Sequence, residues 1–119
     1  MRLIQELEAA LAGEESLFRA QLLREDITRL KTLKKLAETV ESREAFLKEG
    51  FFIGWTPGDA RTFELKPALE PLLVAFHAAF EGGEDTQERL VAAWRAFDAF
   101  RMERLVGCLS RVPRPDDRN

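Results

Sequence analysis

Apolar residues recur at helical spacing from the first turn of the chain. Leu3, Ile4, Leu7, Ala10 and Leu11 share one face, and Gly13 stands where such a helix ends. Ser16 then offers a side-chain cap for a second helix. Its broad apolar face carries Phe18, Leu22, Leu23, Ile27, Leu30, Leu33, Leu36, Ala37 and Val40. At about 100° per residue the faces of 3–11 and 17–40 are offset by roughly a quarter turn, which favours a break near Gly13 over one straight helix. After Ser42, the residues Glu44, Phe46 and Leu47 either prolong the long helix or begin a short one that closes at Gly50.

Beyond Gly50 the period changes. Phe51, Ile53 and Trp55 alternate with Phe52 and Gly54. The alternation resumes at Arg61, Phe63 and Leu65, after Thr56-Pro57-Gly58-Asp59. Proline followed by glycine suits a type II turn, so residues 51–65 are expected to form a β-hairpin. Pro67 and Pro71 place the start of a further helix between them, with Leu69, Leu72, Leu73, Phe76 and Phe80 as its buried stripe. Gly82-Gly83 ends it. Asp85 or Thr86, with Glu88 behind, caps a last helix bearing Leu90, Trp94, Phe97, Phe100, Leu105 and Leu109. Pro113 and Pro115 stop that helix. The expected fold is therefore mainly α: one domain over residues 1–112, an antiparallel bundle of about four helices with a hairpin inserted near 51–65, and a flexible tail at 113–119.

Composition narrows the class. With 45% hydrophobic and 33% charged residues the chain is too apolar for disorder and too charged for a membrane span. Glu6 and Glu8 interrupt any signal-peptide core, so a cytoplasmic protein without a membrane partner is expected. The single cysteine, Cys108, excludes a disulfide framework and reads as an inert thiol, and the single histidine removes most zinc and triad schemes. A formal charge of −3 disfavours wrapping a phosphate backbone. Counted over 1–50, 51–83 and 84–119, basic and acidic residues nearly balance, and no basic arm or acidic tail stands out. Scarce Asn and Gln beside abundant Glu, Arg and Leu fit a heat-adapted source, or equally a GC-rich genome.

Charges that fall inside apolar arcs are the main candidates for chemistry, because such a charge is costly unless paired. Asp26 lies near the middle of the second helix's arc, with Arg19 two turns earlier. Arg101 falls between Phe97, Leu105 and Cys108, flanked by Asp98. They form either a structural ion pair or a site that grips an anionic ligand in the Arg101 fork. His77 lines up with Glu70 and Glu81, a weak pattern for a metal or a general base, and no Glu-x-x-His pair accompanies it. Arg24, Lys31 and Lys35 align on the outer face of the second helix, where they read as a solvated face or as phosphate contacts. No phosphate-loop glycine pattern occurs, and no catalytic group, metal or cofactor is expected.

The aromatic residues point to contact with another protein. Phe51 and Phe52, on opposite faces of a strand, cannot both enter one core; together with Trp55, Phe63 and Phe100 they are the expected interface. The leading expectation is thus a small non-catalytic interaction or regulatory module that self-associates or docks on a protein. An anionic-ligand-binding or enzymatic bundle built on Asp26, His77, Asp98 and Arg101 is the alternative. A nucleic-acid regulator using Arg24, Lys31 and Lys35 is the weaker one.

Overall fold

In the computed structural model, which describes residues 1–53 and 65–110 and the side chains of the last helix as far as Glu103, five helices follow one another. The first, α1, spans Arg2–Ala12 and buries Leu3, Ile4 and Leu7. Residues 13–16 break the chain as the phase shift requires. Ser16 then caps α2 (Leu17–Thr39), its hydroxyl accepting from the Arg19 N–H at 3.3 Å and satisfying one of the helix's orphan donors. A second serine cap separates α3 (Arg43–Phe51) from α2, with the Ser42 hydroxyl accepting from Ala45 N–H at 3.1 Å. The long-helix alternative for residues 42–50 is thereby closed.

The β-hairpin is overturned. Phe51 is the last residue of α3 and Phe52 is its C-cap, so the expected first strand is helical at its start, and no strand occurs among the described residues. Trp55 and Phe63 lie outside those residues. Gly50, expected to close α3, is its penultimate residue, and it is buried there, where a Cβ would sit 3.1 Å from the Leu33 side chain and 3.2 Å from that of Leu73. A missing side chain lets α3 approach α2 and the next helix, a use of glycine unrelated to chain reversal.

The start of α4 (Lys66–Glu81) is also earlier than expected. Pro67 occupies its first turn, where the missing N–H has no intrahelical partner to lose, and Pro71 lies inside the helix. Its cost of about 3 kcal/mol or more is outweighed by the face that α4 buries: Leu69, Leu72, Leu73, Phe76 and Ala79. Gly82, Gly83 and Asp85 all take positive φ in the turn to α5 (Thr86–Ser110), and the Asp85 carbonyl accepts from Arg89 N–H to close the first turn of that helix. Gln87 Nε2 donates to the Ala79 carbonyl at 3.3 Å, which ties the end of α4 to the start of α5.

Five helices rather than about four surround one apolar cluster, to which every helix contributes: Leu3 and Leu7, Leu23, Leu30 and Leu33, Phe46, Leu69 and Phe76, Leu90, Trp94 and Phe97. The α4–α5 pair packs most extensively, followed by α1 on α2 and α3 on α4. Trp94 and Phe97 are buried within the chain, so the wide aromatic arc of α5 does not by itself leave a surface to be covered. No helix among the described residues is long and apolar enough to cross a membrane. The tail at 113–119 lies outside the described residues.

Candidate functional site

Asp26 and Arg101 are the two buried charged residues among those described, at 0% and 1% exposure. Helical phase alone puts both inward, on α2 and α5. These helices approach each other less closely than neighbouring pairs do, and the long arginine side chains bridge the gap. Arg101 grips Asp26 with both terminal nitrogens, Nη1 to Oδ1 at 2.7 Å and Nη2 to Oδ2 at 2.9 Å. Its Nη2 also donates to Asp98 Oδ1 at 2.8 Å. From the other side Arg19 holds Asp98 bidentately at 3.1 and 2.7 Å. Arg29 donates to Asp26 at 3.0 Å and stands 3.6 Å from Glu25.

The result is an alternating row, Glu25–Arg29–Asp26–Arg101–Asp98–Arg19, that starts on α2, crosses to α5 and returns. Three cations meet three anions. Arg101 is further supported from its apolar side, where its guanidinium carbon lies 5.6 Å from the Trp94 ring centroid and 5.1 Å from that of Phe97. Its Nε remains buried without a hydrogen-bond partner, a residual strain on an otherwise satisfied group.

These contacts set the protonation of the row. Burial pushes the Asp98 carboxyl up, but hydrogen bonds from Arg19 and Arg101 and the attraction of both cations outweigh it and hold Asp98 below the usual aspartate value. For Arg101 burial works to lower the pKa, and the hydrogen bonds and charges of Asp26 and Asp98 overcome it and raise it. The hydrogen bond to Asp98 likewise raises Arg19, against a smaller loss from burial. A carboxylate held ionised in this way is a poor proton carrier near neutrality.

A pH dependence follows from Asp98. Because its folded pKa is depressed, its stabilisation is fully present above the ordinary aspartate value of about 3.9 and is lost as pH falls through the lower folded value. Urea melts of the wild type and Asp98→Asn should therefore differ most at pH 7 and converge as the pH is taken below about 4. A gap that stays constant over that range would contradict the assignment.

The remaining candidates separate. His77 Nδ1 lies 2.8 Å from Glu81 Oε1, the imidazole donating and the carboxylate accepting, and its ring lies 5.2 Å from that of Phe46. Glu70 instead stands 3.6 Å from Lys66, so the three-residue line expected around His77 is not assembled, and no group of three metal-binding side chains occurs among the described residues. Arg24, Lys31 and Lys35 are exposed on α2 as expected. Of the aromatic candidates, Phe51 is buried, Phe100 is half-buried against the core, and Phe52 is 65% exposed with its ring edge-on to Phe51. The side chain of Cys108 is not among those described.

Two exposed apolar residues differ from the sequence reading, Leu17 by omission and Phe18 by placement. Leu17 is 87% exposed and Phe18 57% exposed, side by side at the start of α2. Phe18, expected on the buried face, falls at the edge of that arc. Leu17 carried a usable signal, since it falls on the polar side of α2, in phase with Gln21, Arg24 and Thr28. Arg29, which completes the charge row, was also missed; it stands one turn after Asp26. No protein family, curated protein or solved structure compared with this chain matches it.

Proposed function

We propose that the protein is a small non-catalytic interaction module that associates with itself through the apolar step Leu17–Phe18 at the start of α2. The observation that carries this reading is the exposure of two adjacent large apolar side chains on a capped helix start. Their backbone is held in place: Ser16 caps the turn, and the next residue, Arg19, is clamped to Asp98 of α5. A contact element fixed in this way loses little freedom on docking. Phe52, the C-cap of α3, supplies a second exposed aromatic.

The anionic-ligand alternative is disfavoured by the state of its central group. Both terminal nitrogens of Arg101 already hold carboxylates, so a ligand would have to displace Asp26 from a buried bidentate pair.

Burying Leu17 and Phe18 is worth about 1.5–3 kcal/mol each. Sedimentation of the wild type over micromolar to millimolar concentrations should show association. The Leu17→Ser/Phe18→Ser variant should weaken it about 100-fold or more, with a nearly unchanged melting midpoint measured on the monomer. A wild type that stays monomeric throughout, or a variant that associates equally well, would end this reading.

A further inference from the structure

Leu17 heads a longer exposed edge. At about 100° per residue, Leu17, Gln21, Arg24, Thr28, Lys31 and Lys35 fall within an arc of about 80°. They run along α2 for about 27 Å at 1.5 Å per residue. The cations of this edge face no carboxylate: Arg24, Lys31 and Lys35, and Lys34 beside them, make no ion pair among the described residues, Arg24 donating only to the Gln21 amide oxygen at 3.5 Å, whereas Arg19 and Arg29 are taken up by the charge row. Helix α2 holds six cations, Arg19, Arg24, Arg29, Lys31, Lys34 and Lys35, against three anions, Glu25, Asp26 and Glu38, a net +3. The whole chain is −3, so everything outside α2 carries −6. Counting in long blocks hides this division because the segments on either side of α2 are acidic.

A helix of +3 on a body of −6 is complementary to a second copy of itself. Among the described residues, the turn between α4 and α5 gathers four exposed carboxylates, Glu81, Glu84, Asp85 and Glu88. Of these, Glu81 contacts His77, while Glu84, Asp85 and Glu88 make no ion pair among the described residues. The turn also carries Arg89, so its net charge is −3 over residues 81–89. A nucleic acid is a poorer occupant of the α2 edge, because a chain of net charge −3 repels a polyanion as a whole.

Building on the proposed self-association, we infer that the basic edge of α2 docks on the acidic α4–α5 turn of a second copy. The contact joins unlike surfaces, so it closes reciprocally in a dimer or propagates into a ring or chain. Leu17 and Phe18 supply the apolar end of the contact, and Arg24, Lys31 and Lys35 select the acidic one and make assembly salt-dependent.

The test is charge exchange in the full-length chain, read by sedimentation velocity at 50 and 500 mM NaCl. The wild type should lose association about tenfold or more at the higher salt. Lys31→Glu/Lys35→Glu and Glu84→Lys/Glu88→Lys should each be monomeric alone and reassemble when mixed in equal amounts. The neutral variant Lys31→Gln/Lys35→Gln, checked for an unchanged melt, should also be weakened. If the wild type is monomeric at both salts, this inference and the proposed function both fail. If it associates independently of salt, and mixing the reversed variants restores nothing, the inference alone fails. Tight binding of a 20-nucleotide DNA probe that Lys31→Glu/Lys35→Glu abolishes, without protein self-association, would overturn it in favour of a polyanion surface.

Discussion

Replacing Asp26 with alanine should destabilise the protein by about 3–5 kcal/mol, the range for stripping one partner from a buried ion pair. The loss comes less from the missing attraction than from what stays behind. Arg101 is 1% exposed and cannot reach water without moving the core around Trp94 and Phe97. Asp98 still accepts from Arg101 at 2.8 Å, which places the expected value toward the lower end. The row as a whole would carry one uncompensated positive charge. Arginine at this depth stays protonated, so the molecule has no protonation change available to relieve it. Replacing both partners tells the cause apart: Asp26→Leu/Arg101→Met should recover most of the loss, because a well-packed apolar pair avoids the desolvation of both ions. Urea melts at pH 7 measure both. A single-variant loss below about 1 kcal/mol is the behaviour of an exposed pair and would show that water reaches Arg101.

The two ends of this pair were legible in the sequence and its surroundings were not, for a physical reason. A charge at the centre of an apolar helical arc must be buried and compensated, so Asp26 and Arg101 declare themselves through periodicity alone. Which cation meets which carboxylate depends on how α2 crosses α5. Arg19, in line with Asp26 on the helical wheel, turns out to hold Asp98 instead. Gly50 misled for a different cause: one letter serves both for chain reversal and for close approach, and only the positions of Leu33 and Leu73 decide. Reading it as a terminus left Phe51 and Phe52 free to be paired with the alternation that follows, and this produced the strand. Pro71 misled because the usual cost of an interior proline is local, whereas the burial that outweighs it is tertiary. Leu17 was visible as an apolar residue out of phase with its helix, but phase alone does not separate a stray exposed leucine from a contact residue.

Truncating Phe46 to alanine should cost about 3–5 kcal/mol, as for other fully buried phenylalanines. Phe46 is the side chain that docks α3. It is completely buried, its ring stacks on Phe76 of α4 with centroids 5.9 Å apart and planes 14° from parallel, and His77 covers it from the next position of α4. The helix that carries it has only nine residues, too few to persist in water on propensity, so its order depends on this contact and on the close approach at Gly50. Cavity formation and the loosening of α3 therefore act in the same direction, and the unfolding slope should change little because the same surface is exposed in the end. The control is Phe52→Ala, six residues further on. Phe52 is 65% exposed and its ring meets Phe51 edge-on at 5.0 Å, so about 1 kcal/mol is expected there. Denaturant melts of the two variants side by side decide whether α3 belongs to the core. Equal losses at the two positions, or a loss below about 1 kcal/mol at Phe46, would mean that α3 is not seated on Phe76 and that the segment after Ser42 is held by something other than the apolar cluster.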